Sequence, residues 1–187
     1  MGYYILILLI ITKLNFFYFI ELNENFFFQL LALLLIVYFF NLFGKLFLGD
    51  NGVYLISIFF GFYLIKIYLS NQFISPYFIA LLLWYPAYET LFSLIRKFRK
   101  KISPLLPDTY HLHQLVFYYF KKKFLKKNII ANGTAANLIN LYNGIVFLIA
   151  ATNVSSTEFQ LLIISVNVAI YSLLYLYLYK FRTKKIK

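Results

Sequence analysis

Six long apolar runs, at about 3–20, 26–43, 53–69, 76–95, 134–151 and 159–180, alternate with short polar stretches along the chain. Each run approaches the roughly 20 residues that a helix needs to cross a bilayer. The separators are Glu21-Leu-Asn-Glu24, the turn Gly44–Gly52, Ser70–Ser75, a long basic stretch 96–133, and Thr152–Glu158, with a basic tail at Lys180–Lys187. No repeat of 20–50 residues is visible. The pattern predicts an all-α polytopic membrane protein: one membrane domain over 1–187, about six transmembrane helices, and loops at 44–52 and 96–133.

The distribution of lysine and arginine predicts the orientation. Arg96-Lys97-Phe98-Arg99-Lys100-Lys101, Lys121–Lys123 with Lys126-Lys127, and the tail fall on the same side and mark it as cytoplasmic. Alternation puts Lys45 there too and sends the loops with Glu21, Glu24 and Glu158 outward. Every loop then agrees with six helices and both termini inside. Tyr110–Lys127 mixes Leu, Val, Phe and Tyr with lysines and is expected to be an interfacial helix on anionic lipid.

Composition narrows the class further. The chain has 187 residues, 63% hydrophobic and only 13% charged, with a formal net charge of +12. Six crossings of roughly 20 residues leave about 65 residues for all loops and ends, too few for an independent soluble domain. The surplus of Phe, Ile, Tyr, Leu, Asn and Lys is equally consistent with an AT-rich coding sequence. Cysteine is absent, which excludes disulfides, a thiol nucleophile and thiolate metal sites. The first apolar run lacks a preceding basic region and a small-residue cleavage site, so it is expected to be retained. Met1-Gly2 has Leu6 where a myristoylation motif wants Ser or Thr.

All basic residues except Lys13 and Lys66 belong to the cytoplasmic side of this scheme. Lys66 lies near the outer end of its run and can snorkel. Lys13 lies mid-run, where a charge costs at least ~2.5 kcal/mol on insertion scales. Two readings stand open for it: a shifted or tilted helix, or a face turned toward protein outside this chain.

Chemistry-bearing residues concentrate in two cytoplasmic stretches. In the first, Asp50 follows Lys45 between glycines; Asp-Asn-Gly is ordinary turn chemistry, and a carboxylate at the interface also suits Mg²⁺ against a diphosphate. In the second, Ser103-Pro104-Leu-Leu-Pro107-Asp108-Thr-Tyr-His111-Leu-His113-Gln114, Asp108 can cap a helix beginning near Tyr110. His111 and His113 do not share a helical face by spacing, but both can point at one ligand from a loop or a first turn. A zinc site is not expected, because no third or fourth ligand stands nearby. Basic loops and a few carboxylates suit phosphate ligands, although topology alone already demands the basic loops.

Taken together, the stretches resemble the prenyl-phosphate N-acetylhexosamine-1-phosphate transferase family. Lys45-Leu-Phe-Leu-Gly-Asp50-Asn-Gly52 looks like that family's K-hydrophobic-F-hydrophobic-G-D-x-G loop. Ser103-Pro-x-x-Pro-Asp108-x-x-His111-Leu-His113 looks like its S-P-x-x-P-D-x-x-H-L-H loop. Between them, Trp84-Tyr-Pro86-x-x-Glu89-x-x-Phe92-Ser93-x-x-Arg96 is similar to the segment preceding the histidine loop. The resemblance covers roughly residues 35–125. It implies Asp50 as the catalytic and Mg²⁺-binding carboxylate, with Lys45, His111 and His113 as substrate-binding residues. It further implies transfer of N-acetylhexosamine-1-phosphate from a UDP-sugar to polyprenyl (undecaprenyl) phosphate, the opening step of lipid-linked glycan or cell-wall synthesis, in a bacterial inner (cytoplasmic) membrane with the active loops in the cytoplasm. Gln114 in place of a third histidine points to the amino-sugar branches rather than the muramoyl-pentapeptide enzyme.

The chain also departs from the family. No aspartate precedes Asp50, so the paired-aspartate motif and the second acidic motif of the family's amino-terminal half have no counterpart. The expectation is a carboxy-terminal half, with membrane lipids and the amino-terminal half or a homo-dimer as partners, and no nucleic acid. The alternative is a non-catalytic or degenerate membrane fragment or subunit that binds lipid-linked intermediates. Glu89 is expected to be a paired packing residue, and Asn137, Asn140 and Asn143 to form interhelical hydrogen bonds. Asn132-Gly-Thr134, on the cytoplasmic side, is not expected to be glycosylated.

Overall fold

The computed structural model describes residues 2–18, 24–46, 49–103, 106, 108–124 and 127–184; for 16–18, 24–26, 50 and 51 only the backbone is described. Eight helices occur among them: α1 (Gly2–Tyr18), α2 (Glu24–Leu42), α3 (Gly49–Ser70), α4 (Pro76–Leu82), α5 (Trp84–Arg99), α6 (Leu112–Lys123), α7 (Asn128–Ala150) and α8 (Thr157–Thr183). Helix accounts for 83% of the structure, and no strand is present among the described residues. Three helices, α3, α7 and α8, are long and apolar enough to cross a membrane, and α4 with α5 makes a fourth if the pair is one broken span. Such helices mark an integral membrane protein. α1 and α2 are apolar but shorter over their described portions. Glu21 and the tail beyond Lys184 lie outside the described residues.

Two compact units divide the chain. The first comprises the segment ending at Leu82 together with Asn140–Leu161; the second comprises Leu83–Ile139 and Leu162–Lys187. In the first, α1 buries Ile7, Leu8, Ile11 and Leu14, a stripe at helical spacing. Tyr3 meets Phe147 edge-on at 5.4 Å, and Tyr4 packs on Phe60 at 4.9 Å. The fully buried Gln160 donates Nε2 to the carbonyls of Ala150 (3.0 Å) and Asn153 (2.7 Å), tying down the turn between α7 and α8. Lys13 is half-buried in α1, and Lys66 is exposed on α3. The outer face of α3 is open, with Leu55 at 72% and Phe62 at 76% exposure, as a lipid-facing surface should be.

The apolar run 76–95 is not one continuous helix. Pro86 lacks an N–H, and its ring crowds the carbonyl four residues back, at Leu82. The helix breaks at Leu83, and the freed Leu82 carbonyl accepts the Tyr3 hydroxyl at 2.8 Å. A second difference lies in the basic stretch 96–133, whose beginning continues α5 and whose end opens α7. Arg96, Lys97 and Arg99 occupy the last turn of α5, where cations favour the negative end of the helix dipole. Within Tyr110–Lys127, where an interfacial helix is expected, the helix present is the shorter α6.

α5 ends in a two-bond stop that usually takes glycine. Lys101 donates its N–H to the Phe98 carbonyl (3.0 Å) and Ile102 to the Lys97 carbonyl (3.0 Å), with Lys101 at φ 54°. A side chain at that φ costs about 1–2 kcal/mol. Lys101→Gly is therefore expected to stabilise the protein by roughly 1 kcal/mol, read as a higher unfolding midpoint in detergent. A lower midpoint would contradict this account of the stop.

Candidate functional site

Glu89, Ser93 and Arg96 recur at i, i+4 and i+7 on α5, so one helical face presents all three. The connection between α5 and α6 brings Asp108, Tyr110 and His111 onto that face. Arg96 pairs with Asp108 through Nη2, donates Nη1 to the Tyr110 carbonyl at 2.8 Å, and also bonds the Tyr175 hydroxyl of α8. Ser93 Oγ donates to the same Asp108 oxygen at 2.6 Å. The other oxygen, Oδ1, accepts the Tyr110 N–H at 2.9 Å and shapes the turn. Only 12% of the Arg96 side chain and 8% of the Asp108 side chain remain exposed.

One turn earlier on α5, Glu89 Oε1 accepts both His111 Nδ1 (3.0 Å) and the Leu112 N–H (2.9 Å). A carboxylate in that position requires the His111 proton on Nδ1. Glu89 Oε2 is buried without a partner of ordinary geometry among the described residues, with the Tyr171 hydroxyl close enough to act on the carboxylate electrostatically. His111 Nε2 lies 3.9 Å from Asp108 Oδ2, too far for a hydrogen bond. His111 is the residue before the first turn of α6, and Gln114 Oε1 accepts its N–H at 3.2 Å. Asp108 therefore does not cap a helix beginning at Tyr110: its oxygens are taken by Arg96, Ser93 and the Tyr110 turn, and α6 starts two residues later.

His111 and His113 stack with ring centroids 5.7 Å apart and planes 12° from parallel. The pair is joined because one residue precedes the first turn of α6 and the other lies within it, where regular helical spacing does not yet hold. Although part of the His113 ring remains exposed, the protein packed around it lowers its affinity for a proton; Glu89 opposes this, and His111 adds to it.

Cations and tyrosines extend the cluster. Arg182 lies over the Tyr110 ring at 4.3 Å and donates to the Thr109 carbonyl at 2.5 Å. Lys100 lies over the rings of Tyr110 (5.4 Å) and Tyr179 (5.2 Å). Tyr171, Tyr175 and Tyr179 stack in register along α8, and Phe92 meets Tyr175 at 4.6 Å. Asp108 and Glu89 are both spent on internal partners, so the surrounding Lys97, Arg99, Lys100 and Arg182 leave a net positive field suited to an anion.

Lys45 and Asp50 belong to the first unit. Gly44, at φ 66°, stops α2: its N–H reaches the Asn41 carbonyl (2.9 Å), and Lys45 reaches that of Phe40 (3.0 Å). Gly49, at φ 68°, opens α3. The expected Asp-Asn-Gly turn is thus displaced. The positive φ values fall on Gly44 and Gly49, and Asp50, Asn51 and Gly52 are helical, since Asp and Asn suit a helix start as well as a turn. Lys45 is exposed. The Asp50 side chain, Phe47, Leu48 and both prolines of the histidine loop lie outside what is described.

The structure therefore joins His111 to His113 and adds Glu89, Ser93, Arg96, Tyr110 and Tyr175, none of which is expected as a ligand-binding residue from sequence. The i, i+4, i+7 spacing of polar residues in an apolar run was the available signal. Among the described residues no group of three or more His, Asp or Glu side chains could hold a metal ion. Compared with known protein families, curated proteins and solved structures, the chain matches none.

Proposed function

We propose that this chain is the carboxy-terminal half of a polyprenyl-phosphate N-acetylhexosamine-1-phosphate transferase, with six membrane spans and both termini in the cytoplasm. The observation that carries the reading is the pairing of its two family-like segments. Glu89, Ser93 and Arg96 of one hold Asp108, Tyr110 and His111 of the other. That pairing fixes the stacked histidines in a basic field, where they can meet the phosphates of a UDP-sugar.

In the reaction, a phosphate oxygen of the polyprenyl phosphate attacks the sugar-linked phosphorus, the bond to the bridging oxygen breaks, and UMP leaves with that oxygen. In this reading Lys45 supplies positive charge to a phosphate, and His111 and His113 offer hydrogen bonds to the nucleotide-sugar. Asp50 is the carboxylate this reading offers to Mg²⁺, whose bound charge would offset that of the phosphates; the further acidic groups come from a complementary chain with paired aspartates or from a second copy. Membranes containing this chain and such a complement should convert UDP-N-acetylglucosamine and undecaprenyl phosphate to a lipid-extractable product, with one UMP released per product. Release no greater than from membranes with the complement alone would sink the reading.

A second reading, a non-catalytic subunit that binds lipid-linked intermediates, is favoured by one observation: the two described site carboxylates are engaged internally, Asp108 through both oxygens and Glu89 through Oε1. It expects retention of a lipid-linked sugar phosphate on the purified chain without UMP release under any complementation.

A further inference from the structure

The apolar walls of the groove that α5 and α8 form in the second unit have no task in the transferase reading, although the cations at its end belong to the basic field. Its volume is about 420 Å³; Tyr88, Phe92, Tyr175 and Leu176 line it, and Arg99 and Lys100 line its end beside the last turn of α5. From Tyr88 to Lys100 the helix rises about 18 Å at 1.5 Å per residue. Half of a hydrocarbon core is about 15 Å, so the groove runs the length of one leaflet. Its walls are aromatic and aliphatic, and its charged end lies where the membrane surface would meet the last turn of α5.

That end is cationic without compensation. Asp108, the nearby carboxylate, is held by Arg96. Arg99 is exposed and has no carboxylate partner among the described residues. Lys100 gives one hydrogen bond to the Tyr179 hydroxyl at 2.9 Å, which leaves two ammonium donors for another acceptor. A soluble anion would leave the apolar walls unused, and a zwitterionic headgroup would find no acid for its amine. We propose that the groove holds an anionic phospholipid, one acyl chain along α5 and α8 and its phosphate on Arg99 and Lys100. The proposal requires only that these helices lie in a membrane and does not rest on the transferase reading.

The test uses the full chain in nanodiscs with trace phosphatidylglycerol or phosphatidylcholine carrying the same photoactivatable acyl chain, and peptide mapping of the adducts. Label from phosphatidylglycerol should fall on the α5 and α8 groove residues with about a tenfold preference, on the order of what two interfacial cations contribute. R99Q/K100Q should abolish the preference while leaving the phosphatidylcholine label unchanged, and L176W should reduce both. Equal labelling by the two lipids in the unaltered chain, or a preference surviving R99Q/K100Q, overturns the proposal. So does displacement of the phosphatidylglycerol label by equimolar polyprenyl phosphate, which would assign the groove to a prenyl chain instead.

Discussion

Replacing Arg96 by methionine will cost about 3–5 kcal/mol of stability, the usual cost of stranding one member of a buried ion pair. Asp108 would keep its hydrogen bonds from Ser93 and Tyr110, but its buried charge would lose its ion-pair partner. Methionine preserves the length and packing of the arginine stem, so the loss reports on charge rather than on a cavity. Asp108→Asn in the same background should recover much of it, because the amide removes the stranded charge, its oxygen still accepts the Tyr110 N–H, and its NH2 group can donate to Ser93 Oγ. The measurement is a double-mutant cycle on the purified chain in detergent, followed by unfolding midpoints and, where reversible, free energies. Equal losses in R96M and R96M/D108N would mean that the pair is not coupled as its geometry implies.

The same pair explains which parts of the molecule were legible in advance. The apolar runs give the helices directly, because a bilayer or a buried helix bundle demands long apolar segments whatever the details. Helix ends are another matter. α7 begins at Asn128, ahead of the apolar run, since polar residues near a membrane surface continue a helix at little cost. Pro86 is a local cause of the break at Leu83, yet hydropathy alone runs through it unbroken. Glu89, a carboxylate in an apolar run, demands a partner, but which one, His111, 22 residues on, is a tertiary fact. Arg96 was hidden for a different reason. It sits in a basic run that topology alone explains, and only its helical register with Glu89 and Ser93 sets it apart from the neighbouring cations. The stacking of His111 on His113 depends on where α6 starts, a boundary that composition does not set.

Asp50→Asn should lower UMP release by about a thousandfold in membranes where this chain and its complement are active, since a charge of this kind on a phosphoryl-transfer site is worth several kcal/mol and each 1.36 kcal/mol is tenfold. The substitution is chosen because the backbone places residue 50 in the first turn of α3, immediately after Gly49 at φ 68°. Asparagine is tolerated there as well as aspartate, so the helix start survives and only the charge is lost. The unfolding midpoint should therefore stay at its original value, which separates this variant from R96M, where activity and stability fall together. Lys45→Ala provides the complementary readout. It removes a cation expected to meet the diphosphate in the bound substrate, so its main effect should be a raised KM with kcat less affected. Unchanged UMP release in D50N would exclude Asp50 from the chemistry, and a lowered midpoint in D50N would turn its role into a structural one at the start of α3.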